Sequence, residues 1–160
     1  MVETYERDAL SDYEIERGKP MPDKNHAIIQ GRLNFRLTLK YGDKFSILPE
    51  IQLQLPTRER VPDLAIYPPL SFEADNNEIR MTQMPLCAIE ILSEMQSLNE
   101  LSKKCGEYFT AGIPSYWLVI PALTSIYVFH SRQDYTIFSY KDRLVDTLLD
   151  IELDLGEIFK

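Results

Sequence analysis

Between His26 and Lys40 the apolar residues Ile29, Leu33 and Leu37 recur every fourth position, the spacing of one helix face. Gly42 follows as a natural stop. The period then shortens. In "FSILPEIQLQL" (45–55), Ile51, Leu53 and Leu55 alternate with Gln52 and Gln54, which predicts a strand with one buried side. After the turn "PTRER", "DLAIY" (63–67) predicts a short strand, and 68–83 reads as a mixed loop. "PLCAIEILS" (85–93) is a continuous apolar run of the kind buried on both faces of a sheet. Ser97 and Glu100 form an S-x-x-E capping box, so a helix should open there and run to about Ala111, with Gly112 ending it. "SYWLVI", "SIYVFHS" and "DYTIFSY" (115–120, 125–131, 134–140) predict three further strands, and "LDLGEIF" a brief closing helical turn.

The order is helix, three strands, helix, three strands. One helix lies between the buried strands at 85–93 and 115–120, a β-α-β unit that calls for a parallel pair and a right-handed crossover. The fold class is therefore α/β, with a mixed β-sheet flanked by helices. No repeat or Gly/Ser-rich linker divides the chain, and 160 residues fit one domain, 1–160, led by a polar N-terminal segment, 1–25.

Composition narrows the picture. Hydrophobic residues make up 44% and charged residues 26%, enough for a core and far from a disordered composition. No apolar run approaches the ~20 residues of a membrane span, and the acidic "MVETYERDALSDYE" does not read as a signal peptide. A cytoplasmic location is the expectation. Cys87 and Cys105 fit no zinc or redox spacing and read as buried thiols, and His26 and His130 stand far apart. The net charge of −8 argues against a general nucleic-acid coat but leaves room for a local basic groove or a metal-filled acidic site.

Two lone carboxylates stand out. Glu90 sits inside "CAIEILS", where an ionised group costs several kcal/mol unless it is paired, hydrogen-bonded or metal-bound. A solvated edge, a buried Arg or Lys partner and a hard cation all satisfy it. Asp63 opens the strand "DLAIY" after a proline, a common turn dipeptide that a second Pro-Asp at 22–23 repeats. Two carboxylates on neighbouring strands suit Mg²⁺ or Mn²⁺ rather than zinc. On the helix at 97–111, about 100° per residue places Leu98, Leu101, Cys105, Tyr108 and Phe109 on the buried face. Lys103 then points away from that face. Lys104 lies on its flank, able to reach the sheet.

Together, "PDLAIY", "IEILS" and "LSKKCGEYFTAGIPSYWLVI" resemble the PD-(D/E)xK superfamily of restriction-endonuclease-like folds, and within it the short bacterial Uma-two type family of endonucleases. The resemblance runs from "YEIERGK" (13–19) through His26 to "LDLGEIF" and is strongest over 85–119. It implies a metal-dependent endonuclease acting on nucleic acid, DNA by expectation. Asp63 and Glu90 would be ligands to Mg²⁺ (or Mn²⁺), with the Ile91 carbonyl as a third. The superfamily lysine stands two residues after the second acid, where this chain has Leu92; the matching cation is Lys104 on the following helix. Asp63, Glu90 and Lys104 are thus the implied catalytic residues, with Glu50 of "LPEIQ" a possible further acid. The chain departs from the family at Ile120 and Lys19, where acids are usual; neither matches the three core site positions. A homodimer is expected, since cutting two strands needs two such sites.

Other residues carry two readings each. Arg32, Arg36 and Lys40 form a stripe that would track a nucleic-acid backbone, or whose stems cover apolar surface. Arg58 and Arg60 stand nearer the candidate site. The aromatic strands at 115–140 suit base stacking or ordinary cross-strand packing. A function from another class also fits: a non-catalytic interaction domain keeping the nuclease fold, in which Glu90 and Lys104 form a buried ion pair without a metal.

Overall fold

In the computed structural model of the protein, residues 21–94 and 96–160 are described. The polar segment read at 1–25 therefore falls largely outside them, as do "YEIERGK", Lys19 and the opening acidic stretch.

Helix α1, Lys24–Tyr41, begins two residues before the periodicity suggests because Asp23 caps it, its side chain accepting the His26 N–H at 2.8 Å. His26, Ile29, Leu33, Leu37 and Tyr41 are its buried stripe. Gly42 closes it with an N–H bond to the Thr38 carbonyl at 2.9 Å. A Cβ at Gly42 would stand 2.6 Å from that oxygen, so the close return requires glycine.

The alternating run at 45–55 is not one strand. It gives β1, Ser46–Pro49, and β2, Gln52–Gln54, which belong to different sheets. Between them Glu50 takes a left-handed φ of 51°, which turns the chain after Pro49. Two more short strands, β3 (Glu59–Arg60) and β5 (Arg80–Met81), flank β2 in a small three-stranded sheet. Both fall in segments read as turn or loop; two residues are too few to show a period.

The main sheet has the order β1-β4-β6-β7-β8-β9, with β4 at Leu64–Tyr67, β6 at Cys87–Ile91, β7 at Ser115–Ile120, β8 at Ser125–Phe129 and β9 at Tyr135–Ser139. Within this sheet, among the described residues, only β6 and β7 pair in parallel, joined through helix α2, Leu98–Thr110, as the β-α-β reading requires. Ser97 caps α2, accepting the Glu100 N–H at 3.2 Å, and Gly112 ends the helix with φ 88°. Leu98, expected on the buried face, is 56% exposed, and that first-turn residue belongs to neither core.

The central strands are apolar but for Glu90 and Ser115 because both faces are covered. Leu64, Ile66, Ile89, Ile91, Trp117 and Val119 pack on α1 and on a hairpin of β10 (Arg143–Asp146) and β11 (Ile151–Asp154). Ala65, Tyr67, Ala88, Tyr116 and Leu118 face α2 and the small sheet. By the same alternation Glu90 points to the α2 side. The hairpin is absent from the sequence reading, and the closing turn shrinks to a 3₁₀ turn at Leu155–Glu157.

Candidate active site

Antiparallel pairing of Leu64 with Ile89 brings the start of β4 to the carboxyl end of β6, where Asp63 and Glu90 meet. The Asp63 main chain is fixed first. Its carbonyl accepts the Glu50 N–H at 3.1 Å and the Gln30 side-chain amide at 3.0 Å. Its side chain is 1% exposed, and Oδ2 accepts the Ile91 N–H at 2.7 Å while lying 3.1 Å from His26 Nε2. One carboxylate is thereby tied to the residue that follows the other.

Glu90 is fully buried, which rules out a solvated edge. Its Oε1 accepts the Tyr108 hydroxyl at 2.7 Å and lies 3.5 Å from Lys104 Nζ. Burial, followed by the Glu90 charge, holds the Tyr108 hydroxyl well above the usual phenol pKa, so it stays protonated and donates. Oε2 is different. It is buried and has no hydrogen-bond partner among the described residues. A carboxylate oxygen in that condition forgoes stabilisation that proteins normally supply.

Lys104 reaches this point because it occupies the flank of α2 that faces the sheet; it is 8% exposed, whereas Lys103 is open to solvent. Glu50 is half-buried and joined to Asp63 through its own N–H. One turn beyond Lys104, Glu107 takes both Arg60 N–H groups, at 2.6 and 2.9 Å. This bidentate bond holds Glu107 below the usual carboxylate range and raises Arg60 further. Among the described residues no group of three His, Cys, Asp or Glu is arranged to hold a metal ion. The donors on offer are two carboxylates, one with an unclaimed buried oxygen. That set fits a hard cation which keeps several waters.

Two members of this cluster, His26 and Tyr108, are absent from the site read in the sequence. Each occupies a buried-stripe position on its helix, where a core residue is expected. Other candidates go elsewhere. Arg32 donates to the Ile158 and Lys160 carbonyls, Arg36 pairs with Glu157 at 2.7 Å, and Lys40 reaches the Glu152 carbonyl at 3.3 Å. The stripe on α1 thus straps the C-terminal segment. Tyr127, Phe129 and Tyr135 pack on one another across β8 and β9. Burial pushes the Cys105 thiol up to about 11 and Cys87 well up, so neither is a ready nucleophile.

With this geometry in place, the comparison with protein families is decisive. Residues 3–156 match the model of the Uma2 family, described as putative restriction endonuclease. The chain belongs to the Uma2 family. Its fold is also that of a crystal structure from Anabaena variabilis, a putative nuclease belonging to DUF820. The TM-score is 0.75 at 20% identity, over 88% of this chain and 83% of that one. None of the curated proteins matches this chain. No helix among the described residues of this Uma2 protein is long and apolar enough to cross a membrane.

Proposed function

We propose that this Uma2 protein is a metal-dependent endonuclease that hydrolyses phosphodiester bonds in DNA. The supporting observation is the fully buried Glu90, whose Oε2 has no partner among the described residues while Oε1 is held by Tyr108 and approached by Lys104. An orphaned buried carboxylate oxygen is what a divalent cation, Mg²⁺ or Mn²⁺, would complete. Asp63 and Glu90 would hold it, with Glu50 the nearest further acid. When bound, such an ion acidifies the attacking water and acts as a Lewis acid on the scissile phosphate.

The chain's own residues have distinct tasks. Tyr108 fixes the rotamer of Glu90, and His26 with the Ile91 N–H fixes that of Asp63. Lys104 stands where it can orient the scissile phosphate and offset the negative charge that grows as water attacks. In the overall reaction a water oxygen bonds to phosphorus, one P–O ester bond breaks, and the water proton ends on the leaving oxygen. A homodimer, with one site per strand, and a cytoplasmic location complete the proposal.

A second reading has its own support. Lys104 lies 3.5 Å from Glu90, so a buried ion pair in a non-catalytic interaction domain accounts for that contact. It leaves Oε2 unexplained. Incubation of supercoiled plasmid with wild type, Glu90→Gln and Lys104→Ala in Mg²⁺ or Mn²⁺ separates the two. Nicking by wild type alone supports the endonuclease. No nicking of plasmid or of single-stranded DNA, with folded protein and either metal, favours the interaction domain.

A further inference from the structure

On the outward face of α2, across the helix from the buried face that carries Lys104, lies a cleft of about 630 Å³, walled by the β2–β3 turn at Pro56 and Thr57, by α2, and by Arg132 from the β8–β9 turn. That volume admits a nucleotide-sized group rather than a lone ion. Its charge runs against the chain. The protein carries a net charge of −8, yet among the described residues Lys103 and Arg132 in this cleft have no ion pair. Among the described residues the single carboxylate in the lining, Glu107, is already taken up bidentately by Arg60. Two uncompensated cations thus face one neutralised acid.

Gly106 adds a second observation. It sits within α2, where glycine costs about 1 kcal/mol against alanine. A Cβ there would lie 3.2 Å from Arg132 Nη1 and 3.4 Å from its Cζ, so the missing side chain lets the guanidinium lie flat on the helix. Helix stability is given up at the one place where it seats a cation. Glu107 also joins the cleft to the candidate active site, since Arg60 on it feels the charge of Glu90 as well.

We infer that this cleft binds the phosphate backbone of the nucleic acid, with Lys103 and Arg132 contacting phosphates displaced along the strand from the one at Lys104. The inference rests on the endonuclease reading and adds to it a docking path and two residues outside the catalytic cluster. The cleft runs along the outward face of α2 from Lys103 to Thr110, so nucleotides of a strand that crosses the helix from Lys104 would occupy it.

Fluorescence anisotropy with a labelled duplex in EDTA tests this without any metal. Lys103→Ala and Arg132→Ala should each weaken binding several-fold and lower the salt slope by about 1. The double variant should lose at least ten-fold, and the exposed Lys44→Ala almost nothing. Gly106→Ala should hold or raise the melting temperature while weakening binding. A double variant that binds as wild type does overturns the cleft, and if wild type still nicks plasmid the endonuclease reading survives. Equal affinity for polyglutamate would reveal a general anion surface and also overturn it. A wild type that neither binds duplex nor nicks plasmid sinks both.

Discussion

Two fully buried carboxylates in this molecule live under opposite conditions. Asp146, at the end of β10, is saturated: it accepts from Trp117 Nε1 at 2.8 Å, from the Ser115 hydroxyl at 2.5 Å and from the Leu148 and Leu149 N–H groups, with His130 Nε2 at 3.0 Å. Its partners come from β7, the β8–β9 turn and its own turn, so it ties the terminal hairpin to the sheet. Glu90 has one oxygen engaged by Tyr108 and Lys104 and the other with no partner among the described residues. Burial alone therefore does not mark a functional acid. The difference lies in the lone pairs left over: a structural carboxylate uses them within the fold, and a ligating one keeps some back.

The largest expected effect is at the saturated acid. Asp146→Ala strands a buried indole N–H and two main-chain N–H groups and should cost about 3–5 kcal/mol in urea unfolding. Metal affinity of the folded fraction should stay unchanged. A smaller loss is expected for Tyr108→Phe, about 1.5–3 kcal/mol, because it removes a hydrogen bond to a charged group. It should also weaken metal binding by freeing the Glu90 rotamer. Glu90→Gln should cost less, about 1–2 kcal/mol. The amide still accepts from Tyr108 and no longer bears the desolvation of an unclaimed carboxylate oxygen. If Glu90→Gln unfolds the protein as badly as Asp146→Ala does, the contrast fails.

The smallest effect concerns the bridge beside the site. Arg60 holds Glu107 below its ordinary value near 4.5, so the bridge stabilises the fold above that pH. The contribution is lost as pH falls through the depressed folded value. Wild type and Arg60→Ala should differ by about 0.2–1 kcal/mol at neutral pH. Their urea midpoints should converge in acid, and a difference that persists there would contradict the assignment.

Much of this was legible in the sequence for a physical reason. Asp63 and Glu90 show because their neighbours are apolar, and Lys104 because a helix of known start and period can be projected. Each signal is local. Tyr108 and His26 stay hidden because a tyrosine or histidine on a buried stripe looks like core, and only the facing strand reveals its partner. Asp146 stays hidden for the same reason, since Ser115 and Trp117 lie 31 and 29 residues away. The break at Glu50 escapes because the alternation continues across it, and its left-handed backbone leaves no mark in the pattern. The β10–β11 hairpin escapes because its apolar positions are mixed with acids at every fourth and then every second residue.

The most direct measurement is calorimetric titration of Mn²⁺ into wild type, Glu90→Gln and Asp146→Asn, each confirmed folded by circular dichroism. Binding to wild type, its loss in Glu90→Gln and its retention in Asp146→Asn are expected. Absence of binding to wild type, or equal binding to wild type and Glu90→Gln, would contradict the claim that the unclaimed oxygen of Glu90 is kept for a metal.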